Sequence, residues 1–310
     1  MSATILDGKT VAAAALDRVR RGAASLLERT GARPGLAVVL VGDNPASEVY
    51  VRNKTRRAEE CGFASRLVAL PASVGRDELL ARIGELADDP AVHGMLVQLP
   101  LPDHLDAREI QRAVPPDKDV DGFHPLNAGK LLLGDDDGLV PCTPLGVIAL
   151  LDHYEIPLAG RDVVIVGRSN IVGKPLFHLM LSRHATVTVC HSRTRELAAT
   201  CARADVLVAA VGVPGLIRGE HVRPGAVVID VGINAVDDPA QAEDLLAGQP
   251  RRLERFRRRG RALVGDVHFG EAREKAGAIT PVPGGVGPLT VALLLDNTLR
   301  AARRALGVPA

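Results

Sequence analysis

The sequence predicts an α/β fold of two α/β domains, the second a Rossmann-like dinucleotide-binding domain, with a cleft between them. Three observations carry this prediction. Short uninterrupted apolar runs, such as LAVVLVG (36–42), GMLVQLP (94–100) and RDVVIVG (161–167), read as strands buried on both faces. Segments of helical spacing alternate with them, which calls for a mostly parallel sheet covered by helices. A glycine-rich turn, VGRSNIVGKP (166–175), follows one of the later strands and opens a helix. A chain of 310 residues is long enough for two such domains.

In the first series, LAVVLVG is followed by SEVYVRNKTRRAEECG (47–62), a helix with Ser47 as its expected N-cap and Gly62 as its stop. SRLVAL (65–70) is the next strand, GRDELLARIGELADD (75–89) a helix, and GMLVQLP a further strand. Residues 115–146, dense in Pro, Gly and Asp, read as loops, and LGVIALLDHY (145–154) as a helix beyond them. The second series runs RDVVIVG strand, GKPLFHLMLSRH (173–184) helix, TVTVCH (186–191) strand, TRELAATCAR (194–203) helix and DVLVAAVG (205–212) strand. AVVIDVG (226–232) and RALVGDV (261–267) are further strands, and GPLTVALLLDNTLRAARRAL (287–306) is a long amphipathic helix. The expected boundaries are 1–145 for the first domain, completed by 283–310 packing back on it, and 146–282 for the second.

Composition narrows the function classes. A net charge of +1 gives no whole-chain electrostatic case for nucleic acid or an anionic membrane. No apolar run approaches the ~18 residues of a membrane span, and MSATILDGKT lacks the basic flank of a signal peptide. The four cysteines are scattered without a CxxC pair, which argues against a zinc site and fits a reducing, cytoplasmic setting. DKDVDG (117–122) imitates a calcium loop, but Ala128 stands at the twelfth position, where a bidentate Glu belongs, and Pro125 interrupts. No metal is expected.

The glycine-rich turn has two phosphate-binding readings. A triphosphate loop needs GxxxxGK and then a hydroxyl for magnesium. Here five residues separate Gly167 from Gly173, and Pro175 occupies the hydroxyl position, so that reading fails. A dinucleotide turn fits the strand-to-helix context, although Ser169 and Val172 stand where strict GxGxxG has glycine and Gly173 comes one residue late. A helix start there offers backbone amides and a favourable dipole to a phosphate. The following strand ends in His191, Ser192 and Arg193, with no carboxylate for a free ribose hydroxyl. Arg168 and Ser192, with Arg193 or Arg195, suit a 2′-phosphate, so NADP is expected rather than NAD. The same arginines are also compatible with an ordinary surface.

In the first domain, Tyr50 and Lys54 share a helix face at i and i+4, a spacing that by itself favours a surface pair. Gln98 ends a buried strand at the carboxyl edge of the sheet, where open α/β sheets bind ligands. Asp121 lies in the KDVDGF loop (118–123).

Together the motifs ASEVYVRNK (46–54), VQLPLP (97–102), PDKDVDGFHPLN (116–127), PCTPLG (141–146), VGRSNIVGKP, CHSRT (190–194), IDVGIN (229–234) and TPVPGGVGPLT (280–290) resemble, in order and over almost the whole chain, the bifunctional methylenetetrahydrofolate dehydrogenase/methenyltetrahydrofolate cyclohydrolase (FolD) family. The resemblance implies oxidation of 5,10-methylenetetrahydrofolate with NADP⁺, then hydrolysis of the methenyl product to 10-formyltetrahydrofolate, in the one-carbon metabolism that feeds purine biosynthesis. It implies Lys54 as the hydrolytic base, Gln98 as its hydrogen-bond partner, Tyr50 stacked on the folate, and Asp121 accepting pterin N–H groups. Ser47 and the backbone of Pro283, Gly284 and Gly285 would border the substrate. Gly167, Arg168, Ser169, Gly173, Ser192, Ile233 and Thr143 would hold NADP. A homodimer is also implied.

Two features depart from the family pattern: Leu289 where Met is common, and the long segment 235–261. Its second half, PRRLERFRRRGR (250–261), carries seven arginines against one glutamate. The alternatives are a monofunctional NADP-dependent dehydrogenase of a folate or other small substrate, and nucleic-acid binding through 250–261.

Overall fold

The computed structural model describes residues 3–309. The chain forms two compact units. One comprises residues 12–142 and 291–310, and the other residues 1–11 and 143–290.

From the N-terminus, β1 (Thr4–Ile5) leads into α1 (Gly8–Thr30). Then follow β2 (Gly35–Val41), α2 (Pro45–Glu60), β3 (Ala64–Leu70), α3 (Arg76–Asp88) and β4 (Gly94–Val97). The three strands after β1 make a parallel sheet in the order β3-β2-β4. All seven residues of central β2 are buried, which explains its unbroken apolar run, whereas edge strand β3 alternates between partly exposed and exposed positions. Val39, Ile83, Met95, Val97 and Ile110 belong to the core on one face of this sheet.

Two helices, α4 (Ala107–Ala113) and α5 (Pro125–Leu133), precede α6 (Cys142–His153). Helix α5 corrects the expectation of continuous loop over 115–146. Its start is built from residues that read as breakers: His124 Nδ1 accepts the Leu126 amide and Pro125 occupies the first turn. Gly134, with φ +82°, ends it in the left-handed region. A second correction concerns α2. Asn44 rather than Ser47 caps it, its Oδ1 accepting the Ser47 amide at 3.2 Å.

The chain continues through β5 (Asp162–Val166), α7 (Gly173–Ser182), β6 (Thr186–Cys190), the short α8 (Leu197–Cys201), β7 (Val206–Ala209) and β8 (Val227–Asp230). With β1 and β11 (Ala278–Ile279) these strands form a six-stranded, all-parallel sheet in the order β1-β11-β8-β7-β5-β6. The chain runs outward from β5 to β6 and then crosses back to β7 on the other side of β5. The carboxyl end of β5 is therefore a topological switch point, the place where doubly wound sheets bind ligands.

The segment 235–261 forms a small subassembly. Strand β9 (Asn234–Val236) pairs antiparallel with β10 (Ala262–Val264), and between them stand α9 (Pro239–Leu245) and α10 (Pro250–Arg259). RALVGDV is thus a strand, but outside the main sheet. Val236, Ala242, Leu245, Leu246, Phe256 and Val264 give this excursion a core of its own. Some of its arginines are engaged locally: Arg257 pairs with Glu243, Arg258 with Glu254, and Arg252 donates to the Leu263 carbonyl. Helices α11 (Phe269–Lys275) and α12 (Gly287–Ala305) complete the chain. No helix among the described residues is long and apolar enough to cross a membrane.

Candidate functional site

In the unit formed by residues 12–142 and 291–310, α2 directs Lys54 inward. The side chain is 8% exposed, and its Nζ donates to Gln98 Oε1 at 3.1 Å. Gln98 follows the last residue of β4. Its backbone amide continues the ladder to Val39, and its Nε2 donates to the Leu99 carbonyl at 2.7 Å. That second bond fixes the amide so that its oxygen faces the ammonium. A buried amine held by a neutral amide, and by no carboxylate among the described residues, is an arrangement that suits a proton-transfer group. Tyr50 lies one turn before Lys54 and is 46% exposed, leaving its ring free to stack on a ligand. Ser47 is buried and so presents little of itself to solvent.

The loop that carries Asp121 is held from several sides. Met95 N donates to the Lys118 carbonyl, tying the loop to β4. The buried Asp119 carboxyl accepts the His124 amide at 2.7 Å and Asn127 Nδ2 at 3.0 Å. Burial raises the titration point of Asp119 despite these bonds. Its hydrogen bonds are thus spent on the start of α5, while the neighbouring Asp121 is only partly buried. At Gly122, φ is +75° and a Cβ would lie 2.5 Å from Pro141 N, so only glycine lets the two loops touch.

Asn297 of α12 joins the same loops, its Nδ2 donating to the carbonyls of Val120 and Val140, each at 2.9 Å. Cys142 Sγ donates to the Val120 carbonyl at 3.2 Å. Burial pushes the Cys142 thiol well above its ordinary range, with Asp121 raising it further and Lys54 opposing. Lys54 and Asp121 therefore lie within electrostatic reach of one thiol. Asp119 and Cys142 lie within the motifs PDKDVDGFHPLN and PCTPLG but carried no expected role, and Asn297, outside every motif, looks like a polar break in an apolar helix. Replacing Asn297 by Ala strands one buried and one part-buried carbonyl and should lower stability by about 1–3 kcal/mol in urea unfolding.

In the other unit, the sheet's switch point carries the glycine-rich turn. Gly167 follows β5 with φ +127°, and a Cβ there would stand 2.1 Å from the Ala210 carbonyl oxygen. A Cβ on Gly173 would stand 2.1 Å from the Gly167 carbonyl oxygen. The two ends of the turn are thus in backbone contact. Ser169 closes the extra residue between them, its Oγ accepting the amides of Val172 at 3.1 Å and Gly173 at 3.4 Å. This is the physical reason a serine can replace the usual middle glycine. Arg168 and Ser192 are both exposed, just beyond the ends of the paired strands β5 and β6. The exposed guanidinium and hydroxyl, with no carboxylate after β6, are the donor set a 2′-phosphate requires. The residues present fit NADP.

The remaining expected residues are more dispersed. Thr143 Oγ1 meets Thr290 Oγ1 at 3.1 Å. Ile233 is 44% exposed, with Cδ1 3.3 Å from where Gly287 would carry a Cβ. Pro283 is exposed, but Gly284 and Gly285 are buried. Their close backbone contact is with the start of α1: Gly8 N donates to the Gly284 carbonyl at 3.0 Å, and a Cβ on Gly8 would stand 1.7 Å from Gly285 O.

A doubly wound sheet with a phosphate-ready turn at its switch point, on a chain that also buries a lysine beside an amide, defines a nucleotide-dependent α/β enzyme. Family models narrow this further. Residues 6–121 match the tetrahydrofolate dehydrogenase/cyclohydrolase catalytic domain, and residues 141–306 match the NAD(P)-binding domain of the same family. The chain belongs to the tetrahydrofolate dehydrogenase/cyclohydrolase family. It is 53% identical over 304 residues to the bifunctional protein FolD of Moorella thermoacetica, covering 98% of this chain and 100% of that one. The crystal structure of the bifunctional FolD of Campylobacter jejuni is similar with a TM-score of 0.88 and 45% identity, covering 98% and 99% of the two chains. A Trypanosoma brucei FolD structure, complexed with NADP and an inhibitor, also gives a TM-score of 0.88 at 40% identity, covering 98% of each chain.

Proposed function

We propose that this protein oxidises 5,10-methylenetetrahydrofolate to 5,10-methenyltetrahydrofolate with NADP⁺ and hydrolyses the product to 10-formyltetrahydrofolate. Family membership supports both reactions, and the Lys54–Gln98 hydrogen bond is the observation that carries the second. When bound, NADP⁺ supplies the two-electron oxidant. The protein's part in the oxidation is to bind and orient, which can contribute several kcal/mol without any acid or base.

Hydrolysis asks more of the side chains. Water attacking the cationic methenyl carbon must lose a proton, and the folate nitrogen that leaves must gain one. Lys54 takes the proton from water and later returns it to that nitrogen, while Gln98 keeps Nζ aimed. Tyr50 stacks on the pterin. Asp121 accepts its N–H groups, and Ser47, Pro283, Gly284 and Gly285 border the substrate. Gly167, Arg168, Ser169, Gly173, Ser192, Ile233 and Thr143 are the residues assigned to NADP. The residue 12–142 unit then carries Lys54, Gln98, Tyr50 and Asp121, and the residue 143–290 unit carries the NADP residues, in a cytoplasmic homodimer.

A spectrophotometric assay with 5,10-methylenetetrahydrofolate and each nicotinamide cofactor tests the reading. NADP-dependent formation of the methenyl chromophore, followed by its decay, is the expected result. No reduction with either cofactor would remove the dehydrogenase assignment. A stable chromophore would leave only the monofunctional alternative.

A further inference from the structure

We infer that Asp266 is a positioning residue for the dinucleotide-binding turn, its buried side chain holding residues 210–212 against Gly167; the inference rests on the function proposed above. Asp266 is fully buried and lies just past β10, outside the six-stranded sheet. Its Oδ2 accepts two successive amides, Val211 N at 2.6 Å and Gly212 N at 3.0 Å, where the chain leaves β7. Its Oδ1 accepts Asn234 Nδ2 at 2.9 Å. The residue before that pair, Ala210, is the one whose carbonyl oxygen fills the place of a Cβ on Gly167. A shift of the 210–212 turn would thus be felt at the first glycine of the candidate NADP turn.

Asp266 is itself anchored. The carboxyl of Asp230, the last residue of β8, accepts the amides of Asp266 at 2.9 Å, Val267 at 3.0 Å and Gly232 at 3.0 Å. Glycine on either side makes room for this pair. A Cβ on Gly265 would lie 1.7 Å from Asp230 Oδ2, and one on Gly232 would lie 2.2 Å from Asp266 Oδ1. Burial pushes the Asp230 carboxyl up to about 7, and the Asp266 charge raises it too, against the pull of the three amides. Two buried carboxyl groups this close are costly unless they fix something specific. Here they fix an order of contacts: Asp230 sets Asp266, Asp266 sets 211–212, and Ala210 backs Gly167. The Asn234–Asp266 bond also spans the base of the 235–261 excursion.

The test uses the full-length protein with Asp266→Ala and Asp266→Asn. Asn keeps one oxygen able to accept both amides; Ala keeps none. Dehydrogenase kinetics are measured against NADP⁺ and against the folate, and cyclohydrolase is measured separately on 5,10-methenyltetrahydrofolate without NADP⁺. Asp266→Ala should raise KM for NADP⁺ by about 10-fold or more, with folate KM and cyclohydrolase rate within about 2-fold of wild type. Asp266→Asn should fall between. A parallel loss of both activities, or an unchanged KM for NADP⁺, overturns the inference. If the Ala variant does not fold, the same split in Asp266→Asn decides. A wild-type protein without NADP-dependent activity would instead overturn the proposed function.

Discussion

Lys54→Gln is expected to lower cyclohydrolase turnover by about 100- to 10,000-fold, the range for loss of a positioned acid–base group. The dehydrogenase should survive at a level within about 10-fold of wild type, because the oxidation needs orientation rather than a base. The fold should tolerate the change. Lys54 is buried against the neutral Gln98, and a glutamine there keeps half of the aliphatic stem and an N–H donor for that amide. Among the described residues no carboxylate pairs with Lys54, so no ion-pair partner is left behind, the usual source of large losses when a buried ion is removed. Single-turnover decay of the methenyl chromophore measures the effect directly. Hydrolysis at the wild-type rate would take Lys54 out of the mechanism. A fall in hydrolysis matched by an equal fall in oxidation and in melting temperature would reduce Lys54 to a packing residue.

What could be read from the sequence was the part fixed by local rules. Buried parallel strands announce themselves as unbroken apolar runs: β5, β7 and β8 fall within the segments that pattern marks, and β2 begins one residue before its segment. Lys54 and Gln98 were each visible, but their hydrogen bond spans 44 residues and depends on α2 lying beside the end of β4. Breaker-rich composition concealed α5, because His124, Pro125 and Gly134 read alike in a loop and in a well-capped short helix. RALVGDV has the pattern of a strand, but its partner is decided by what the 235–261 segment buries. Phe256 and its neighbours form a local core and draw β10 to β9 instead of the main sheet. Asp266 and Asn297 are least visible, since each acts on backbone groups tens to hundreds of residues away.

Gly167→Ala should raise KM for NADP⁺ by at least about 10-fold, from two causes that act together. A φ of +127° strains any residue with a Cβ by about 1–3 kcal/mol, and here that Cβ would meet the Ala210 carbonyl oxygen at 2.1 Å. Backbone cannot yield as a side chain end can, so the turn itself must shift, and with it the amides at the start of α7. Cyclohydrolase activity, assigned to the other unit, provides the control for folding. Arg168→Ala with Ser192→Ala separates the turn from the 2′-phosphate. Both side chains are exposed, so their loss should leave stability unchanged. Losing charge-assisted hydrogen bonds of about 1.5–3 kcal/mol should weaken NADP by roughly 10- to 100-fold while leaving NAD use as it was. The two variants therefore fail differently: the glycine change penalises both cofactors, the arginine–serine change only the phosphorylated one. Equal losses for NADP and NAD in the double variant would mean that Arg168 and Ser192 hold something other than the 2′-phosphate. An unchanged NADP KM in Gly167→Ala would mean that the dinucleotide does not lie on this turn at all.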